Sequence, residues 1–116
     1  MSPEAEAIAR VLLEHRKSVS RGEGKREGLD ACLLTYGELC ERARLPGAKP
    51  AVGKLLREIA VWCHENGWPP LNALAVNHDT RRPGHGYDRA PGCSLAGWRA
   101  AVEACLEFKG YPDVGN

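Results

Sequence analysis

Apolar residues recur at helical spacing near the N-terminus, where Ala5, Ile8, Ala9, Leu12 and Leu13 share one face and predict a helix over residues 3–17. Ser2 can cap its free N–H groups, and Pro3 loses nothing at a first helical position. The pattern then dissolves. Residues 18–28 place three glycines among Arg21, Glu23, Lys25, Arg26 and Glu27, with too few apolar groups to offset the entropy of ordering. The expectation there is a flexible basic loop. The apolar run Ala31-Cys32-Leu33-Leu34 suits either a short strand or a linker.

Thr35-Tyr36-Gly37-Glu38 has the spacing of a capping box, in which hydroxyl and carboxylate each satisfy a backbone donor at a helix start. It opens a second helix over residues 36–44, with Leu39, Cys40 and Ala43 inward, and Leu45-Pro46-Gly47 stops it. From Pro50 onward, Val52, Leu55, Leu56, Ile59, Trp62 and Cys63 keep one apolar face as far as Asn66, and Gly67 marks the end of this third helix. After Trp68-Pro69-Pro70, the run Leu71 to Val76 has the content of a strand. Arg81-Arg82-Pro83-Gly84 then makes a turn at the tip of a hairpin that returns through Tyr87, spanning residues 71–88. A last helix over residues 95–109 starts at Ser94 and turns Leu95, Trp98, Val102, Cys105, Leu106 and Phe108 inward.

This order predicts a mainly α single domain with a small β-hairpin. Residues 35–66 form two helices joined by a tight turn, and an arginine-tipped hairpin follows, which is the element order of a winged helix-turn-helix. The length of 116 residues supports one modest core. With 43% hydrophobic and 27% charged residues, the composition is that of an ordinary globular protein. No apolar run approaches the roughly 20 residues of a spanning helix. The first sixteen residues carry Glu4, Glu6 and Glu14 and lack the order of a secretory signal, so no membrane partner and a cytoplasmic location are expected. Five cysteines, an odd number with no C-x-x-C pair, exclude a complete disulfide framework and give no support to a zinc ribbon. Cys40, Cys63 and Cys105 fall on apolar stripes, where a thiol behaves as a small hydrophobe.

The formal net charge is only +1, but it is unevenly spread. Arg42, Arg44, Lys49, Lys54 and Arg57 follow one another with no acidic residue between them. Lys54 and Arg57 share the helix face opposite Leu55, Leu56 and Ile59. In a winged unit that helix enters the major groove, and the wing, here Arg81, Arg82, His85 and Arg89, follows the backbone or minor groove. The plain alternative is a solvated surface, where most lysines and arginines lie.

Thr35-Tyr36-Gly37-Glu38-Leu39 and Pro46-Gly47-Ala48-Lys49-Pro50-Ala51-Val52-Gly53 resemble the helix-turn-helix of the alkylguanine-DNA alkyltransferase and alkyltransferase-like family, with its T-Y-G-x-L start and P-x-A-x-x-A-V-G recognition helix. The resemblance covers residues 35–56. It implies that Tyr36 lies against a phosphate and that Ala51, Val52 and Gly53 let the helix approach DNA closely. Two departures stand out. Pro50 occupies the place of the arginine that replaces an extruded base, and no P-C-H-R motif exists, since Cys63-His64 follows Trp62 and precedes Glu65. The resemblance therefore implies a fold without base flipping or alkyl transfer. Pro69 to Asn77, followed by Arg82-Pro83-Gly84-His85-Gly86, also resembles a pattern in small uncharacterised bacterial and mobile-element proteins.

No catalytic constellation emerges. Cys63 and His64 point about 100° apart on a helix, which prevents the direct hydrogen bond of an activated thiolate. His78-Asp79 beside His85 is a commonplace loop pairing. Cys63, His64, His78, His85 and Cys93 show no paired-ligand spacing for a metal. Trp62 and Trp98 read as core anchors, and Trp68 as a cap on the core or a platform for a stacked base. The expectation is a binding module that is not an enzyme and needs no cofactor or metal. Its partner is DNA or another nucleic acid, met by Tyr36, Arg44, Lys49, Lys54, Arg57, Arg81, Arg82 and His85. The alternative partner is a protein, as for a phage or mobile-element inhibitor of a host defence or nucleic-acid-processing complex.

Overall fold

A computed structural model of the chain describes residues 1–20 and 29–112. Helix α1 (Pro3–Ser20) starts as its sequence implies, with the Ser2 hydroxyl accepting the Ala5 N–H at 3.2 Å. It runs one turn further than the apolar spacing predicts, because Val19 is buried and extends the stripe. Residues 18–20 are thus helical, and the rest of the expected basic loop lies outside the described residues.

Helix α2 (Tyr36–Arg42) carries the predicted capping box in full. Thr35 Oγ1 accepts the Glu38 N–H at 3.2 Å, and the Glu38 carboxylate accepts the Thr35 N–H at 3.0 Å. The helix ends two residues earlier than the sequence suggests. Arg44 takes a left-handed conformation (φ 61°), and the Leu45 N–H reaches back to the Cys40 carbonyl at 2.8 Å, closing the last turn before the proline. A 3₁₀ turn at Pro46–Ala51 leads into α3 (Val52–Glu65). Gly67 (φ 72°) ends α3 as expected, with the Trp68 N–H bonded to the Cys63 carbonyl at 2.9 Å. Helix α4 (Trp98–Glu107) is shorter than predicted. Ser94 caps a turn before it through the Gly97 N–H, and Leu95 is 46% exposed rather than inward.

The expected hairpin at residues 71–88 does not form. Leu71–Leu74 is a 3₁₀ turn, and β2 (Ala75–Val76) pairs in parallel with β1 (Leu34–Thr35), in the register Leu34 with Ala75 and Thr35 with Val76. The physical reason is burial on both faces: every residue from Leu71 to Val76 is buried. A hairpin with one solvated face needs alternation, whereas a continuous apolar run suits a covered parallel strand. The chain still reverses after β2. Asn77 and Arg82 close a loop through Asn77 N–H to Arg82 O at 2.8 Å, but the segment beyond it is a 3₁₀ turn, His85–Arg89, and not a returning strand.

Among the described residues the architecture is therefore a compact, mainly α single domain of four helices and one two-stranded parallel sheet, with α2 and α3 as the crossover between the strands. Helix α1 lies against α2, α3 and α4, and the 71–74 turn is wedged among α1, α3 and α4. Ile8, Leu12, Leu39, Ile59, Leu74 and Val102 meet at the centre. The Trp98 indole N–H donates to the Ala73 carbonyl at 2.8 Å, fastening α4 to that turn. Cys40, Cys63 and Cys105 are buried thiols, in keeping with the packing role read from their spacing, and Cys32 is buried as well. Trp62 is only half-buried. It sits edge-on to Trp68 at 5.0 Å, in a cluster that Phe108 and Tyr111 continue. Among the described residues no helix is long and apolar enough to cross a membrane.

Candidate functional site

Local sequence sets the outward face of α3. Val52, Leu55, Leu56, Ile59, Ala60 and Cys63 are buried, which leaves Gly53, Lys54 and Arg57 exposed on the opposite side. Lys49 and Pro50 are exposed on the preceding 3₁₀ turn, and Arg44 is exposed at the end of α2. Pro50 sits inside that 3₁₀ turn, two residues ahead of α3, so its missing N–H removes no bond of α3 itself. Of the three small residues that the resemblance aligns with close approach to DNA, Ala51 and Gly53 face outward, whereas Val52 belongs to the core. A Cβ added at Gly53 would meet nothing within 4 Å.

An open cleft of about 190 Å3 runs between the start of α3 and the 83–90 segment. Tyr36, Lys49 and Arg57 line it together with Pro83, Gly84 and Gly86. The Tyr36 hydroxyl accepts the Gly84 N–H at 2.6 Å, so the loop after β2 is pinned to the first residue of α2. Burial pushes the Tyr36 phenol up from its ordinary value, and the Gly84 bond opposes this only partly. The phenol stays protonated, and its own proton is available to donate.

The arginines expected at a wing tip diverge. Arg82 is exposed. Arg81, in a left-handed conformation (φ 56°), folds back onto the turn before β1, donating to the Asp30 carbonyl at 2.9 Å and to its carboxylate at 3.4 Å. Its charge is thus partly answered from within the chain. The side chain of His85 lies outside the described residues. The structure brings Tyr36, Lys49 and Arg57 to one cleft, keeps Lys54 on the same helix face as Arg57, and turns Arg81 away.

One acidic group borders this face. Glu58 on α3 accepts both the Ser2 N–H (2.8 Å) and the Ser2 hydroxyl (3.0 Å). Those bonds hold its carboxyl below the usual range, with Lys54 a smaller contributor. The thiols offer little nucleophilicity. Burial pushes Cys63 up to about 11 and Cys105 up to about 12, so both are protonated at neutral pH. His78 Nδ1 lies 3.3 Å from the Asp79 carboxylate with both side chains in solvent, and neither residue lines the Tyr36 cleft. Among the described residues no group of three His, Cys, Asp or Glu could hold a metal ion.

Sequence reasoning did not single out Asn72 or Tyr87, which line the cleft. The signal for Asn72 was present, since it is the lone polar residue in the apolar run from Leu71 to Val76. No protein-family model, curated protein or solved structure matches the chain.

Proposed function

We propose that the chain is a non-enzymatic nucleic-acid-binding module that meets duplex DNA with the exposed face of α3 and the turn before it. The observation that carries this reading is the placement of Lys54 and Arg57 on the uncovered side of a helix whose opposite side is core, with Lys49 and Arg57 at the rim of the Tyr36 cleft. Arg44 and Arg82, both exposed, extend the same positive character. The phenol of Tyr36, which accepts the Gly84 N–H, supplies a neutral donor for a phosphate in this reading. The resemblance of residues 35–56 to a DNA-binding helix-turn-helix points the same way.

Each phosphate neutralised releases counterions, so binding weakens steeply with salt. Contacts from Lys49, Lys54, Arg57 and Arg82 predict a log–log salt slope of roughly −3 to −4, at about 0.9 per contact. A salt titration of the full chain against a fluorescent 20-base-pair duplex tests this, and the absence of binding at low ionic strength would refute it.

One observation favours a second reading, in which the same face docks on acidic protein surface. Pro50 is exposed where the resembling family has a base-replacing arginine, so nothing at that position enters a base stack. Retention of a partner from nuclease-treated bacterial lysate, together with a flat duplex titration, would select this reading.

A further inference from the structure

Past the end of α3, an aromatic cluster remains that the core does not absorb. The chain's lone phenylalanine, Phe108, joins Trp62, Trp68 and Tyr111 there, and all four side chains are partly exposed. Three of the ring contacts are close to right-angled: Trp62 with Trp68 at 87° and 5.0 Å, Trp68 with Tyr111 at 77° and 5.8 Å, and Phe108 with Tyr111 at 84° and 4.8 Å. Such edge-to-face pairs make notches instead of a flat platform. The cluster is also held in place. The Tyr111 hydroxyl donates to the Pro69 carbonyl at 2.5 Å, the Arg16 guanidinium lies 5.1 Å from the centre of the Tyr111 ring, and a Cβ added at Gly110 would fall 2.5 Å from Phe108 Cζ. A surface fixed in advance loses little entropy when a partner docks.

Hydrogen bonding at this surface is one-sided. Among the described residues neither the Trp62 nor the Trp68 indole N–H has an acceptor, and neither is sealed from solvent. The Trp98 indole, in the core, is by contrast bonded to Ala73. The carbonyls beside the cluster are already engaged: that of Trp62 by the Asn66 amide at 2.8 Å, that of Pro69 by Tyr111, and that of Pro70 by the Cys105 thiol at 3.0 Å. The surface thus offers donors and withholds acceptors. An ordinary peptide laid on it would leave its own N–H groups unmet. A proline-rich segment has carbonyls without matching N–H groups, a backbone already extended, and compact apolar rings that suit a notch. We propose that the cluster docks a proline-rich segment of a partner protein, with pyrrolidine rings in the notches beside Trp68 and peptide carbonyls on the Trp62 and Trp68 N–H groups. Trp62 lies ten residues past Val52, about 15 Å along α3, so this surface is separate from the cleft at the start of that helix. A stacked base fits it less well, since no two of the four rings are parallel.

Titration of the full chain with a decaproline peptide, followed by NMR at the indole N–H groups, tests this. The expected result is saturable shifts of the Trp62 and Trp68 resonances with the Trp98 resonance unmoved, and no saturable shift with a glycine-serine decamer. Trp62→Phe and Trp68→Phe each keep an aromatic ring and remove one donor, so each weakens decaproline binding about fivefold while the protein stays folded by its melting curve. No saturable shift up to about 5 mM peptide, an equal response to the glycine-serine decamer, or unchanged affinity in both folded variants overturns the proposal. A single-stranded thymidine decamer that shifts the same resonances where decaproline does not also overturns it, in favour of a stacked base. The inference is independent of duplex binding: replacing Lys54 and Arg57 together by Ala leaves decaproline affinity unchanged, and a loss there would move the peptide to the basic face of α3 and overturn the proposal.

Discussion

The Gly84 N–H donates a 2.6 Å hydrogen bond to the Tyr36 hydroxyl across 48 residues of chain, joining the loop after β2 to the start of α2. This contact fixes one wall of the cleft relative to the other. Tyr36→Phe leaves a half-buried backbone donor unpaired, and a loss of about 1–2 kcal/mol is expected. Urea unfolding with an unchanged m-value checks it. If the hydroxyl also donates to phosphate, duplex affinity falls beyond what Lys54 or Arg57 variants lose at matched salt.

The capping box is testable on its own. Thr35 is 5% exposed and sits at both the end of β1 and the N-cap of α2, so Thr35→Ala removes the acceptor for the Glu38 N–H without disturbing the strand pairing. The expected cost is about 1 kcal/mol, with Thr35→Ser recovering most of it. Chemical denaturation of the two variants decides the point.

Lys54 and Arg57 are both exposed, so replacing the two by Ala changes stability by no more than about 0.5 kcal/mol. Under the proposed function the same double variant reduces the salt slope of duplex binding by about 2. An unchanged slope in a folded double variant shows that these side chains do not meet phosphate.

Arg44 and Arg81 are the two non-glycine residues with positive φ among the described residues, at 61° and 56°. Glycine tolerates that conformation without a Cβ penalty. Arg44→Gly therefore raises stability by about 1 kcal/mol at the end of α2. Arg81→Gly gains the same relief but loses the contact with Asp30, a partly exposed pair, and a near-neutral change follows. Thermal melts rank the two. In duplex binding the order reverses, with Arg44→Gly the more damaging because Arg81 is already engaged.

His15 makes stability sensitive to mild acid. Its Nε2 lies 2.8 Å from the Cys32 carbonyl oxygen, and burial lowers its pKa from the ordinary 6.5, with the nearby Arg42 acting in the same sense and Glu38 against it. The unfolded chain thus binds more protons than the folded one between the lowered value and 6.5. The stabilisation is complete above about pH 6.5 and declines as pH falls through the folded value. Melting temperature measured from pH 7.5 to pH 5 shows the decline. His15→Gln, which keeps a donor for Cys32, flattens it over that window, leaving only the carboxylate effects of Glu38 and Glu58 at lower pH.

Much of the cationic face was legible from spacing alone, since Lys54 and Arg57 had to oppose Leu55, Leu56 and Ile59 on any helix. The cleft was not legible, because Tyr36, Asn72, Gly84 and Tyr87 converge from three parts of the chain. Periodicity carries no information about such a meeting. The loss of Arg81 from the candidate interface had the same origin, for its partner Asp30 lies 51 residues away.

Local chemistry by itself determined the four helices, the Thr35–Glu38 cap and the stop at Gly67, because each rests on neighbours within about one helical turn. Only the tertiary structure decided the strand pairing. A two-residue strand has no local preference strong enough to choose between folding back on itself and joining Leu34 and Thr35. The choice fell to burial of the unbroken run from Leu71 to Val76, which a solvated hairpin would have left half exposed.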